Sequence, residues 1–385
     1  MSNFPRSIFS AEHDQFREMV RRFCDERINP FHAEWVEKHQ VPRELWREAG
    51  ALGMLNAWLP EEFGGIGQGI LFDLIVVEEL GRAGATGPGF HLHSMMATPY
   101  IADHGCGELK ARILPKMVSG EIIGAIGFTE PSAGSDLANI KTRAEKHGSG
   151  WKINGQKTFI TNGQSADVVV TACVTNPSKG AKGISMIVIE AGMKGFKKGR
   201  NLNKIGQHAN DTAELFFEDV VVPAENLLGL EGHGFFYMMD KLAQERLVLS
   251  VHTQARAEAV LEWTIEYVKQ RNAFGQRVID FQNTRFKLAE MKTQLFAGRA
   301  FCDLLIRQKI EGRLDPVQAA AGKLFHSELL GKVADECVQL HGGYGYMAEY
   351  PVAQAYVDAR IERIYAGTSE IMKEIIGRSL SNGVS

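Results

Sequence analysis

Apolar positions recur at helical spacing early in the chain, with Phe16, Val20, Phe23 and Arg27 following one face and LFDLIVVEELGRAG (71–84) forming a second stretch. A stripe at i, i+3, i+4 and i+7 is the mark of a helix with one buried side. Ser10 is placed to cap the first helix, with Glu12 and Asp14 near the positive end of its dipole. Asn29-Pro30 is expected to stop it, and Gly84 ends the second. Residues from about 10 to 120 are thus predicted to be mostly helical.

From about Glu121 the period shortens. WKINGQKTFITNG, ADVVVTACV, GISMIVIE and TAELFFEDVVVP are short apolar runs bounded by Asn154-Gly155, Asn162-Gly163 or Pro223. Close-set runs of this kind predict a small antiparallel β-sandwich or barrel of roughly 100 residues, ending near Leu230. After Gly234, neither proline nor glycine occurs until past Gln270, and LVLSVHTQARAEAVLEWTIEYV is apolar on more than one face. That is the pattern of a helix inside a bundle. Long helices are predicted from about 283 and 316. Asp315-Pro316 supplies an N-cap and an N1 proline to the latter, and Gly342-Gly343 ends it. Thr368 caps a last helix over IMKEIIGRSL. The predicted class is α+β: an N-terminal helical domain (1–121), a middle antiparallel β domain (122–230) and a C-terminal helical bundle (231–385).

Composition narrows the function. With 44% hydrophobic residues, 23% charged and a net charge of −3, the chain is neither fibrous nor disordered. It also lacks the basic excess of a nucleic-acid binder. No run approaches 18 apolar residues, so no membrane span is expected. The start, MSNFPRSIFSAEHDQF, lacks a signal-peptide core and carries acids, which points to a cytoplasmic protein. Five scattered cysteines without a CxxC read as reduced thiols, and no metal site is expected.

Several segments invite chemistry, each with a plainer alternative. GGIGQG (64–69) has neither the preceding strand nor the spacing of a dinucleotide fingerprint and reads as a turn. TEPSAGSD (129–136) permits close backbone approach to a ligand, or is a polar loop between a helix and a strand. QRNAFGQRVIDFQ (270–282) offers Arg271, Gln282 and the stacking face of Phe274, or is an exposed turn. QLHGGYGY (339–346) poses the same choice, and the basic loop MKGFKKGRNLNK reads as a solvated face. Glu245 is placed at the opening of a mainly apolar helix. There it is either a general base with a raised pKa or an ordinary first-turn acid stabilised by the helix dipole.

Taken together, GFTEPSAGSD, FITNG, QRNAFGQ, QLHGGYGY and IYAGTSEI resemble the acyl-CoA dehydrogenase family, in its order and spacing over essentially the whole chain. RSIFSAEHDQFREMVRRF, GPGFHLHS, KGFKKGRNL, AQERLVL and GYMAEYPVAQAYVDAR are similar to its long-chain branch. The resemblance implies a flavoenzyme with helical, β and four-helix-bundle domains, commonly a homotetramer. It would use FAD to dehydrogenate an acyl-CoA substrate across Cα–Cβ and pass electrons to an electron-transfer flavoprotein. Ile126, Gly127, Phe128, Thr129, Glu130, Gly134 and Ser135, with Phe159, Ile160 and Thr161, would line FAD. Arg271, Phe274 and Gln282 would serve its diphosphate and adenosine side, from the adjacent subunit. Gln339, Leu340, His341, Gly342 and Gly343, with Thr368, Ser369 and Glu370, would complete the site. Ser135, Ala181, Lys182, Phe236, Arg246, Ala366 and Gly367 would contact substrate, Phe236 standing where relatives often carry tyrosine.

One departure matters. In the short- and medium-chain branches the base lies in a YEGT-like motif, which here reads Tyr365-Ala366-Gly367-Thr368. In the long-chain and isovaleryl branches it lies in an ERL-type motif, matched by Glu245-Arg246-Leu247. The resemblance therefore implies that Glu245 removes the C2 proton while a hydride leaves C3 for flavin N5. The thioester oxygen would be held by a flavin hydroxyl and the base's own backbone N–H. Other readings are a branched-chain acyl-CoA dehydrogenase, an oxygen-using oxidase on the same fold, and a non-catalytic CoA-ester binding protein.

Overall fold

The computed structural model describes residues 6–381, so the first five and last four residues of the predicted outer domains lie outside it. Helices α1 (Ala11–Phe23), α2 (His32–Lys38), α3 (Arg43–Ala51), α4 (Leu71–Ala83), α5 (Phe90–Leu92), α6 (Thr98–His104) and α7 (Gly107–Val118) form the first third. Ser10 is the N-cap of α1, its backbone N–H bonded to His13 Nδ1 at 3.1 Å. Asn29-Pro30 does not stop the helical path. A π-turn at Cys24–Ile28 and a 3₁₀ turn at Asn29–Phe31 carry it into α2. Pro30 falls within the first turn of the new segment, where its missing N–H breaks no bond. Gly84 closes α4 with a left-handed φ of 73°.

The middle third is one sheet of β1 (Gly124–Gly127), β2 (Arg143–His147), β3 (Gly150–Thr161), β4 (Val168–Val174), β5 (Ile184–Glu190), β6 (Phe196–Asn201), β7 (Thr212–Val222) and β8 (Leu227–Leu228). Their order is β6-β7-β3-β2-β4-β5-β8, with β1 paired to β4. Pairing is antiparallel except where β4 meets β1 and the end of β2, both parallel. The long excursion between β1 and β4 permits that direction, since parallel neighbours need a crossover. MKGFKKGRNLNK is not only a loop: it includes β6, an edge strand whose Lys198 Nζ donates to the carbonyls of Gln164 and Ala166.

Strands β4 and β5 are mainly apolar because both faces are buried. Val168, Val170, Ala172, Met186 and Val188 pack on Tyr100, Ile101, Leu109, Ile113 and Met117 of the helices. Val169, Cys173, Ile187 and Ile189 pack on Trp151, Ile153, Leu215 and Phe217 inside the sheet domain.

The last third holds α8 (Gly234–Gln270), α9 (Gln282–Ile310), α10 (Pro316–His341), α11 (Pro351–Ala359) and α12 (Ser369–Ser381), with a small hairpin, β9 (Asn272–Ala273) and β10 (Gln276–Arg277), between α8 and α9. Asp315 Oδ1 accepts from the N–H groups of Val317 and Gln318 at 2.8 and 3.0 Å, capping α10. Thr368 Oγ1 accepts from Ile371 N at 3.3 Å. Every residue of α8 from Glu245 to Ala257 is buried, because α4 covers the side that the bundle leaves open. Gly81 permits that contact: a Cβ there would lie 2.7 Å from the His252 carbonyl oxygen.

A buried charge network fastens the two helical regions. Glu78 of α4 accepts from Arg6, Arg17 and Arg299 at 2.8, 2.6 and 2.7 Å, and these guanidinium groups hold its carboxyl far below the usual carboxylate range despite burial. Removing one member of a buried ion network strands the others. Glu78→Ala should therefore lower unfolding free energy by about 3 kcal/mol, the low end for a broken buried pair, because each arginine keeps a second carboxylate. Urea denaturation reads this directly, and an unchanged midpoint would contradict it.

Candidate active site

Glu245 does not open a helix. It is the twelfth residue of α8, so the dipole of the first turn cannot account for it. Its side chain is 4% exposed, and burial pushes the carboxyl up from 4.5 to about 7, against smaller lowering effects of Tyr100 and Arg246. Tyr100 Oη donates to Glu245 Oε1 at 3.1 Å. The neighbouring Gln244 donates from Nε2 to the Met95 carbonyl at 2.9 Å. Pro99 has no N–H to offer the carbonyl four residues back, which is Met95, and the side chain from α8 fills that place. This junction follows a π-turn at His93–Ala97, a feature common at functional sites.

The segment predicted to line a cofactor begins in β1 and runs strand to strand, not helix to strand. Glu130 is its internal strut. Its carboxylate accepts from the N–H groups of Lys141 and Thr142 at 2.6 and 2.9 Å and from Lys157 Nζ at 2.8 Å, while Lys157 Nζ also donates to the Phe128 carbonyl at 3.2 Å. Thr158 N donates to Thr129 O at 2.9 Å, bringing the segment beside Phe159 and Thr161. The ladder slips between Lys157 and Ile160, and Phe159 stands out there at φ 59°, 67% exposed. A bulge that holds a non-glycine residue at positive φ re-aims its side chain, here an aromatic ring into open space. The Ile160 side chain lies in the sheet core and does not reach open space. Phe128 packs edge-on against Tyr100, with centroids 5.6 Å apart, and Ile126 touches the cluster of Leu247 and Val248. Gly127 is buried, and Gly134 and Ser135 lie exposed at the loop tip, where a Cβ on Gly134 would meet nothing within 4 Å.

The same place is reached from the C-terminal side. Tyr365 and Ala366 pack on the Leu247–Val248 cluster. Ala366 and Gly367 have φ of 50° and 98°, and Lys323 Nζ donates to the Gly367 carbonyl at 2.7 Å. A Cβ on Gly367 would lie 3.9 Å from Arg246 Nη2. Arg246 Nε and Ser369 Oγ are buried without a hydrogen-bond partner, and Glu370 is exposed. Arg246 is buried, which lowers its pKa, with Glu245 opposing the shift.

The other predicted residues form a second group. Arg271, Gln339, Leu340, His341, Gly342 and Gly343 line a cleft of about 490 Å³ with Tyr267 and Tyr344, and the Arg271 guanidinium lies 5.6 Å from the Tyr344 ring centre. Phe274 is 98% exposed on the β9–β10 hairpin, and Gln282 is exposed at the start of α9. Glu245 is not in this cleft. The 22 helical steps of α8 from Glu245 to Tyr267 correspond to about 33 Å. At the other end of α8, Phe236 is exposed, Ala181 is half-buried and Lys182 exposed. Phe236 precedes Glu245 by nine residues, about 13.5 Å along the helix, too far to touch its carboxylate.

Tyr100, Lys157 and Lys323 escaped sequence reasoning. Only Pro99, inside an otherwise helical run, marked the first of them. Among the described residues no helix is long and apolar enough to cross a membrane, and no His, Cys, Asp and Glu cluster suits a metal.

Residues 10–121, 125–220 and 232–381 match the N-terminal, middle and C-terminal domains of acyl-CoA dehydrogenase. The chain is 51% identical over 377 residues to the mitochondrial long-chain specific acyl-CoA dehydrogenase of Sus scrofa, covering 97% of this chain and 88% of that protein. It superposes on an acyl-CoA dehydrogenase from Geobacillus kaustophilus with a TM-score of 0.96 at 46% identity, over 98% of this chain and 100% of the other. A glutaryl-CoA dehydrogenase from Mycobacterium smegmatis, solved in complex with FADH2, gives 0.90 at 30% identity, over 98% and 96%.

Burial of Glu245 carries a cost that depends on pH. Its folded pKa is raised, so the unfolded carboxyl ionises first and stability falls as pH rises from 4.5 to about 7. Glu245→Gln cannot ionise and keeps an oxygen for the Tyr100 phenol. The variant should gain on the wild type across that window, by at most about 3 kcal/mol. Denaturation at pH 4.5 and pH 8 measures the difference, and parallel pH curves for the two proteins would contradict it.

Proposed function

The chain belongs to the acyl-CoA dehydrogenase family, and from that membership we propose that it dehydrogenates long-chain fatty acyl-CoA at C2–C3, with Glu245 as the base. It is an FAD-dependent oxidoreductase acting on CH–CH bonds. The observation that carries the base assignment is a single one. A buried carboxylate with its pKa near 7 stands at Glu245, while the alternative position, Ala366, has no acid and packs on the same apolar cluster.

The residues fit FAD. Phe159 offers an exposed aromatic face, Ser369 Oγ and Arg246 Nε are buried without partners, and Gly342 and Gly343 leave open space where a Cβ would stand. FAD, when bound, supplies the acceptor for the hydride that leaves C3.

The protein's own part is to take the C2 proton. That proton is too weakly acidic for a carboxylate in water. Removing water raises the basicity of Glu245 towards its task and strengthens every electrostatic contact in the pocket. The enolate that develops also needs a donor at the thioester oxygen. The backbone N–H of Glu245 cannot provide it, because in mid-helix it bonds the carbonyl four residues back. Ala366 can. Its N–H has no intrachain partner among the described residues, and the loop holds it beside Arg246 through Lys323. The donor and the base are therefore proposed to come from different elements.

The roughly 33 Å between Glu245 and the Arg271–Gly343 cleft supports an assembly in which one subunit's cleft completes its neighbour's flavin site, as in the homotetramer the resemblance implies. Similarity to the Sus scrofa protein supports a long-chain substrate, and an electron-transfer flavoprotein is the proposed electron acceptor.

Glu245→Gln should bind FAD and acyl-CoA but reduce the flavin about 10²–10⁴-fold more slowly in anaerobic stopped flow. Near-wild-type reduction would mean another residue is the base. Arg271→Ala should release FAD more readily on dilution while leaving the unfolding midpoint of the apoprotein unchanged. Equal retention of flavin would contradict the shared site.

A further inference from the structure

We infer that Tyr100 is a positioning residue for the reaction, its phenol holding the Glu245 carboxylate in the ionised, correctly aimed form. The inference deepens the assignment of Glu245 as base and rests on it.

The hydrogen bond from Tyr100 Oη to Glu245 Oε1, at 3.1 Å, is the side-chain hydrogen bond that Glu245 makes among the described residues, and it leaves Oε2 free to receive a proton. The donor cannot drift. Tyr100 is completely buried, its ring edge-on to Phe128 at 86° and packed in the cluster of Ile101, Leu109 and Ile113. Two adjacent residues of α8, Gln244 and Glu245, bond to the stretch Met95–Tyr100, so one rigid junction fixes both phenol and carboxylate. Phe128 belongs to the segment assigned to the flavin. The base is thereby registered against that segment through a single aromatic ring.

A phenol that donates to a carboxylate favours the ionised acid and opposes the effect of burial. The phenol itself stays protonated, because burial and the negative charges of Glu245 and Asp240 hold its pKa well above the ordinary value. Of the charged groups around the pair, Arg246 on α8 also favours the carboxylate. Lys323 of α10 interacts with Glu362, Arg246 and Glu370, and Glu130 of the β1–β2 connection is paired with Lys157 of β3 at 2.8 Å.

The test is Tyr100→Phe in the FAD-loaded enzyme, which keeps the ring and removes the donor. The acid limb of the flavin-reduction rate should move up by about one pH unit, with the acyl-CoA dissociation constant unchanged. The protonated-carboxyl infrared band assigned by its loss in Glu245→Gln should titrate with the same shift, and this readout does not depend on turnover. Should Tyr100→Phe not fold, 3,5-difluorotyrosine at position 100 retains the side chain and strengthens the donor, and it should move both midpoints down. Midpoints that stay at the wild-type pH in either protein overturn the role of Tyr100. If Glu245→Gln itself reduces flavin at the wild-type rate, the base assignment fails instead, so the two failures are distinct.

Discussion

A single carboxylate, taken out of water in the middle of a 37-residue helix, organises this protein. Burying Glu245 penalises its charged form, and among the described residues Tyr100 and Arg246 oppose that penalty. The fold supplies what such a group requires. Helix α4 covers α8 on the side the bundle leaves open, and the π-turn before α6 delivers the tyrosine. Strands β4 and β5, apolar on both faces, form a wall that seats α6 and α7. Stability is lost at one residue, and the proposed base is that residue.

The surrounding polar groups are arranged to fix loops rather than to react. Glu130 and Lys157 hold the β1–β2 connection in shape, and Lys323 holds Gly367 by its carbonyl. With those struts in place, the positive φ of Phe159 and of Ala366 is maintained by the neighbours, which is where backbone strain usually serves a site. The result is a division of labour: α8 carries the proposed base, the Ala366 loop offers an N–H without an intrachain partner among the described residues, and the β domain presents an aromatic face.

Much of this was legible in the sequence, for reasons that are local. The caps at Ser10, Asp315 and Thr368 and the glycine stops at Gly84 and Gly342 are short-range signals, and the structure uses each of them. Glu245 stood out because an acid in an apolar run has few uses. Its place within the helix was misjudged, since nothing in ERLVL tells that the helix had begun eleven residues earlier at Gly234. Asn29-Pro30 looked like a stop because π and 3₁₀ turns leave no mark in hydrophobic spacing. The parallel pairing of β1 with β4 and the Tyr100–Glu245 bond join residues 44 and 145 positions apart. Contacts of that range depend on the assembled core and have no signature in any one segment.

If one desolvated carboxylate facing the substrate is what the site needs, its point of attachment should be exchangeable. The measurement is the anaerobic flavin-reduction rate of Glu245→Gln with and without a second change, Ala366→Glu, in protein that still binds FAD and acyl-CoA. The account predicts that the double variant recovers part of the lost rate, with a shifted chain-length optimum because the carboxylate enters from another wall. A double variant as slow as Glu245→Gln at every chain length would contradict the claim that the two positions look onto the same carbon.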